Sequence, residues 1–502
     1  MQIATLDGAR MSAASAEFDL VIRGGTVATD EDVFETDVGV RDGKIVAVGP
    51  DLGSAVRELD ARGKLVLPGG VDSHTHIEQV SSFGIMTADD FYTATVSAAF
   101  GGTTTVICFC AQHRTDRIPV VLEDYAERAR TKAIIDYGFH LIIANPDRDT
   151  LTRDLPAAIE QGIRSFKIYT TYERLHVTDR QVLDVMAVAR KHGALVMVHA
   201  ENHGVISWLG DRMIEQGNVA PRYHGICHTR GAEHEAINRI AMLAELIDVP
   251  VLIVHVSTIE GIEAIRQARA RGVKIYGETC PQYLFLTAKD LDRPGLEGAM
   301  FCCSPPPRDE AAQEACWHGL ADGALNVCSS DHSPYRYDAS GKLPKGERTT
   351  FKDMANGVPG IELRMPLLFT FGYRARRLTL PDFVALTATR HAQIYGCYPQ
   401  KGTIAEGSDA DIAIWDPERR VTITHDLVHD NAGYTPYAGR ELQGWPVTVI
   451  SRAEVIVEDG KVHAQRGRGR FIPRVLSDAA VPAGLKVPEM EQLDAWGTPL
   501  QL

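Results

Sequence analysis

KLVLPGGVDSHTH (64–76) is the stretch that decides the fold. Its first half is an apolar run closed by Pro-Gly-Gly, the pattern of a short strand buried on both faces. Its second half sets His74 and His76 two residues apart. In extended backbone such residues point the same way, so the strand ends in a pair suited to chelation.

Outward from this stretch the apolar run recurs as TTTVICF (103–109), YGFHLII (137–143), RSFKIY (164–169), LVMVHA (195–200), VLIVHVS (251–257), VKIYGETC (273–280) and ALNVCSS (324–330). Amphipathic helical patterns lie between them, among them 120–134, 180–192 and 234–247. Eight near-continuous apolar strands alternating with helices give a closed (β/α)8 barrel. The competing architecture, an open doubly wound sheet, calls for a glycine-rich phosphate loop after its first strand, and there is none. Both ends of the chain read differently. FDLVIRGGTV (18–27), DVGVRDGKIVAVG (37–49), ADIAIWDP (410–417), VTVISRA (447–453) and EVIVEDGKV (454–462) alternate with period two around Asp-Gly turns. The expected fold class is therefore α/β: a TIM-like barrel over 66–397, with a smaller β-sandwich built from 1–65 and 398–475. Residues 476–502 are expected to form an extended tail, disordered or packed on another subunit.

At 502 residues, 44% hydrophobic and 24% charged, the chain has ordinary globular composition, long enough for a barrel and an accessory domain. Its formal net charge of -14 argues against nucleic acid or an anionic membrane as partner. No apolar run approaches about 18 residues, and the first twenty residues lack a secretory apolar core. The nine cysteines are scattered, several inside apolar runs (Cys108, Cys110, Cys328), and Cys302 and Cys303 are adjacent. They read as buried free thiols of a cytoplasmic protein.

The ionisable residues fall at equivalent places. His74 and His76 follow strand 1, Lys167 sits in strand 4, His199 ends strand 5, His255 ends strand 6 and Asp331 follows strand 8. Barrel active sites are built at these C-terminal strand ends. One strand-end histidine alone is more often an interior or surface residue than a ligand. Four of them with an aspartate read as a metal centre of the Zn, Mn or Fe type. Lys167 admits two readings. Beside two divalent cations its amine would turn neutral and take up CO2, giving an anionic bridging carbamate; otherwise it pairs with a nearby carboxylate. His140, His192, His203 and His318 lack matching partners and are assigned to structure or surface. His332, Glu78 and Glu201 adjoin ligand motifs and are candidates to support them.

From about 18 to 473 the chain resembles the dihydropyrimidinase/hydantoinase branch of the amidohydrolase superfamily. The resemblance is carried by DSHTH (72–76), ADDFYTATVSAAFGGTTTV (88–106), SFKIYTTY (165–172), VHAEN (198–202), IVHVS (253–257), CSPPPR (303–308), SSDHSPY (329–335), NGVPGIE (356–362), GTIAEGSDADI (402–412) and YTPYAGRELQGWPVT (434–448). It implies two divalent cations, zinc with manganese or cobalt as alternatives. His74, His76, Asp331 and N6-carboxylated Lys167 would hold one; Lys167, His199 and His255 would hold the other, with a hydroxide between them. Tyr172 would donate to the substrate carbonyl, Ser304 and Asn356 would recognise the cyclic amide or imide, and Asp331 would carry the proton to the departing nitrogen. Without the resemblance Tyr172 reads as a core aromatic, Ser304 as a turn residue before prolines and Asn356 as the start of an Asn-Gly turn. The resemblance also implies a homo-oligomer, tetramer or dimer.

The chain departs from the branch's pattern at Gln79, Tyr169, Thr170-Thr171 and HGICHTRGAEHE (224–235). Gln79 and Tyr169 are expected in the substrate pocket, making it more polar than one for phenyl or alkyl hydantoins. Other readings are a related amidohydrolase (allantoinase, dihydroorotase or an imidase) and a non-catalytic dihydropyrimidinase-related scaffold. The scaffold would lack ligand positions that are all filled here.

Overall fold

The computed structural model describes residues 16–501. Eight parallel strands pair in chain order: β1 (Gly70–Thr75), β2 (Thr103–Ala111), β3 (Asp136–Ile142), β4 (Ser165–Tyr169), β5 (Leu195–His199), β6 (Val251–Ile253), β7 (Ile275–Thr279) and β8 (Val327–Cys328). The path curls until its ends meet. Thr75 bridges His332 just beyond β8, and the His76 N–H donates to the His332 carbonyl at 2.8 Å.

Period-two alternation sorts each strand's side chains. Phe166 and Ile168 of β4 share an apolar cluster with Val182, Val185, Met186 and Ala189 of the helix Asp179–His192. Tyr169 of the same strand shares an inner cluster with Leu195, Met197 and Leu252. Each such buried aliphatic contributes about 1.5–3 kcal/mol, so a one-residue slip that turned a strand over is strongly disfavoured. The helix itself is bounded by its sequence: Thr178 and Gln181 form a capping box, and Gly193 ends it in the left-handed conformation at φ 74°.

Strands from both ends of the chain make a second, largely antiparallel sheet. Leu65–Pro68 from the N-terminal segment pairs with Ile412–Thr422 from the C-terminal one, Val66 opposite Ile414. The nine-stranded sheet folds over a core containing Leu20, Ile22, Val38, Val40, Ile412, Ile414 and Ile450. At the seam with the barrel, buried Lys401 binds Asp136 at 2.7 Å, Asp411 at 2.7 Å and Asp409 at 2.9 Å.

The C-terminal segment, expected as an extended tail, is anchored on the chain itself at its start. Ser477, Ala479 and Ala480 are buried. The N–H groups of Ala483 and Gly484 donate to the Asp248 carboxylate at 3.1 and 3.0 Å, and Pro488–Ala495 is helical. Its anchor is a carboxylate more than two hundred residues away, which local patterning does not reveal. No helix among the described residues is long and apolar enough to cross a membrane.

Candidate metal centre

The C-terminal ends of the barrel strands deliver His74, His76, Lys167, His199, His255 and Asp331 to one pocket. His74 Nε2 lies 3.1 Å from Asp331 Oδ1 and His76 Nε2 lies 3.4 Å from it, and these three residues can offer atoms to one ion. The His199 and His255 rings stand 4.4 Å apart, His255 lies 5.5 Å from His74, and Lys167 Nζ is 3.5 Å from His74 Nε2. The lysine reaches this place because β4 pairs with β5 in register, Lys167 opposite Met197 and Tyr169 opposite His199.

Buried carboxylates orient the rings from behind. Glu278 Oε1 accepts from His74 Nδ1 at 2.5 Å, and Glu278 is itself held by the Ser329 hydroxyl at 2.7 Å and the His255 N–H at 3.2 Å. Glu201 accepts from His199 Nε2 at 2.7 Å and from His228 Nδ1 at 2.8 Å. The bonds to His74 Nδ1 and His199 Nε2 each fix a tautomer and leave the other nitrogen of that ring free as a ligand. Gln79 takes the same part for His76, its Oε1 lying 2.9 Å from Nδ1. The residue expected to face substrate thus also has a ligand to hold.

The electrostatics suit cation binding. Burial lowers the Lys167 amine to about 8. Burial, His199 and Lys167 hold His255 well below the ordinary imidazole range, so it is neutral and able to donate a lone pair. Burial would raise Asp331, but the His74, His76 and His255 rings hold it well below the usual carboxylate range. Its other oxygen accepts from Gln282 Nε2 at 3.2 Å. Four imidazoles, a buried amine and a carboxylate, with His255 Nδ1 finding no partner, form a donor set that fits divalent cations. Three site residues that are not glycine have left-handed backbone: His255 at φ 41°, Asp331 at 49° and Tyr172 at 68°. Such conformations need surroundings that enforce them and gather at functional sites.

Tyr172, Ser304 and Asn356 line the same pocket, with Tyr169, Gln79, Ser81, Phe83, Leu175, Ser333 and Tyr335. The Tyr172 hydroxyl faces the side chains of Ser304 and Asn356, and burial with nearby Glu201 keeps it protonated. The Tyr169 ring packs on His199 at 5.3 Å and covers Lys167 Nζ at 5.2 Å. The other unusual residues support the centre. Thr170 stitches β4 to β5 through the Glu201 carbonyl at 2.8 Å, and His224 Nε2 donates to the Cys303 carbonyl at 2.9 Å. His332 reaches away, to Asp89 at 3.0 Å, and serves the centre through its backbone carbonyl. Glu78 pairs with Lys132 at 2.6 Å, and His140 lies between Ser165 and the Ser73 carbonyl. Sequence reasoning missed Glu278, Gln282 and Lys342. Glu278 alone carried a signal, as a carboxylate inside the apolar run 273–280.

The sequence pattern of the Amidohydrolase family matches residues 65–462. D-hydantoinases of Ralstonia pickettii and Rhizobium radiobacter are each 40% identical over 457 residues, 91% of this chain and 99% of theirs. The crystal structure of dihydropyrimidinase from Brevibacillus agri NCHU1002 superposes with a TM-score of 0.88 at 38% identity, over 91% of this chain and 99% of that one. The chain belongs to the amidohydrolase family and, within it, to the group of the hydantoinases and dihydropyrimidinases.

Proposed function

We propose that the protein is a metal-dependent hydrolase that opens a cyclic amide or imide, of the hydantoin or dihydropyrimidine type, at a C–N bond. The observation that carries this is the gathering of six potential ligands beside Tyr172, Ser304 and Asn356 in one pocket. The names of the relatives, D-hydantoinase and dihydropyrimidinase, support the same substrate class. On this reading His74, His76 and Asp331 would hold one cation and His199 and His255 the other, with N6-carboxylated Lys167 as a further ligand. Zinc is our assignment, with manganese or cobalt as alternatives. When bound, the pair lowers the pKa of water and polarises the scissile carbonyl.

The chain's own groups do the rest. Tyr172 donates its hydroxyl hydrogen to the carbonyl oxygen as charge builds there. Asp331, ionised in its cage of imidazoles, takes the proton released by the nucleophile and returns it to the leaving ring nitrogen. Ser304 and Asn356 hold the ring across from Tyr172. Ser81, Ser82 and Ser333 line the rest of the pocket beside Phe83 and Leu175, so we infer a substrate with a polar substituent. On the same reading it is a cytoplasmic homo-oligomer, tetramer or dimer; all nine cysteines are free and buried, which suits a reducing compartment.

The test is a hydrolysis panel with zinc-loaded protein: dihydrouracil, aryl, alkyl and polar hydantoins, allantoin, dihydroorotate and cyclic imides. Ring opening of hydantoins or dihydropyrimidines is expected. Turnover confined to dihydroorotate or allantoin would move the chain to a dihydroorotase or allantoinase, and turnover of none of these rings would overturn the substrate class. Fastest turnover of aryl and alkyl hydantoins, with polar rings inert, would overturn the polar pocket.

A further inference from the structure

Lys342 is a buried cation outside the metal centre, and neither the ligands nor the pocket lining includes it. It is fully buried, and no carboxylate among the described residues forms an ion pair with it. Its ammonium donates instead to three backbone carbonyls: Cys302 at 2.7 Å, Ala355 at 2.8 Å and Gly357 at 2.5 Å. An ammonium has three hydrogens, and all three are used.

Those carbonyls belong to two segments far apart in sequence. Cys302 precedes Ser304 by two residues, and Ala355 and Gly357 flank Asn356 on either side. The segments also touch directly: the Gly357 N–H donates to the Cys302 carbonyl at 3.0 Å, and Cys302 Sγ lies 3.3 Å from Asn356 Oδ1. Gly357 has φ 147°, and a Cβ there would fall 2.5 Å from the Ser333 side chain. Lys342 is aimed by its own tight turn, its N–H donating to the Arg336 carbonyl at 2.8 Å. At the neighbouring Gly341 a Cβ would meet the Arg336 carbonyl oxygen at 2.3 Å.

Burying a cation against dipoles alone is expensive, and an aliphatic side chain would fill the volume without that expense. What only the ammonium supplies is a single point that fixes three carbonyls on two segments. We propose that Lys342 is a positioning residue that clamps the Ser304 and Asn356 segments into one substrate cradle, rather than part of the catalytic centre. This rests on the cyclic-amidase reading above.

The test uses the metal-loaded protein with Lys342→Met and Lys342→Arg. On a cyclic amide that the wild type opens, Lys342→Met should raise KM about tenfold or more, leaving kcat within about threefold and metal content unchanged. Lys342→Arg, which keeps donors to the carbonyls, should recover part of the loss. In parallel, amide hydrogen exchange should rise at 302–304 and 355–357 and not across the barrel strands. An unchanged KM overturns the clamp, as does exchange that rises everywhere, which would mark a merely stabilising residue. If the wild type opens no cyclic amide, the functional reading fails; the exchange pattern then decides the clamp alone. If Lys342→Met does not fold, Lys342→Gln, whose amide has two N–H donors for the three carbonyls, carries the same readouts, and an unaltered KM and exchange pattern there would overturn it.

Discussion

Removing and restoring the metals tests the part assigned to Lys167. The amine is fully buried, and burial lowers it from 10.5 to about 8. Only the neutral amine attacks CO2. At about pH 7.4 roughly one fifth of an amine with this pKa is neutral, against about one in a thousand for an exposed lysine, an advantage of about 200-fold. Stripping the metals with a chelator in mild acid loads the amine with a proton and discharges any carbamate. Zinc returned in CO2-free buffer should then restore activity slowly, and zinc with bicarbonate much faster. The rate should climb from about pH 6, reach half its limit near pH 8 where the amine is half neutral, and level off above about pH 9 once the amine is largely deprotonated. Labelled bicarbonate should place one carbamate carbon per chain in the 13C spectrum, absent in Lys167→Ala, which should also lose metal and activity. Full activity in Lys167→Ala without added short carboxylic acids would refute the carbamate, as would reconstitution indifferent to bicarbonate.

Three further outcomes separate the roles around the pocket. Asp331→Asn should retain much of the metal and lose several orders of magnitude in kcat; equal losses in metal and rate would make Asp331 a ligand only. Tyr172→Phe should lower kcat about 10²–10³-fold with little change in thermal stability, measured by steady-state kinetics and melting. Glu278→Gln should weaken metal retention about 10–100-fold in chelator competition, because the bond to His74 Nδ1 loses its charge.

Much of this was legible in the sequence, for a physical reason. Parallel strands buried on both faces write themselves as apolar runs, and period two tells which residues of each run share a side. Lys167 could be placed in strand 4 and the histidines at strand ends from the sequence alone. What stayed hidden depends on side chains meeting across long sequence separations. Nothing near His74 announces Glu278, nothing near Asn356 announces Lys342, and the anchoring of 483–484 on Asp248 has no local pattern. Gln79 was read as a pocket residue because it departs from the branch's pattern. It lines the pocket, but its carbonyl oxygen is turned to the imidazole beside it.

The two halves of the pocket are held by different means, and this bears on how the chain can carry unusual loops with an ordinary set of ligands. The ligand half stands on strand ends whose spacing the barrel's hydrogen bonds enforce, backed by Glu278 and Glu201. The half with Ser304 and Asn356 stands on loops, tied to each other by the Gly357 N–H on the Cys302 carbonyl and clamped by Lys342. Changes in 77–86 or 224–235 can therefore reshape what surrounds the ring while leaving the strand ends in register. The joints are the exceptions. His224 links its segment to the Cys303 carbonyl, His228 links it to Glu201 and so to His199, and Gln79 links the loop after β1 to His76. Substitutions at His228 and Gln79 should move metal retention and KM together, whereas changes at His224, Ser81, Ser82 or Leu175 should move KM alone.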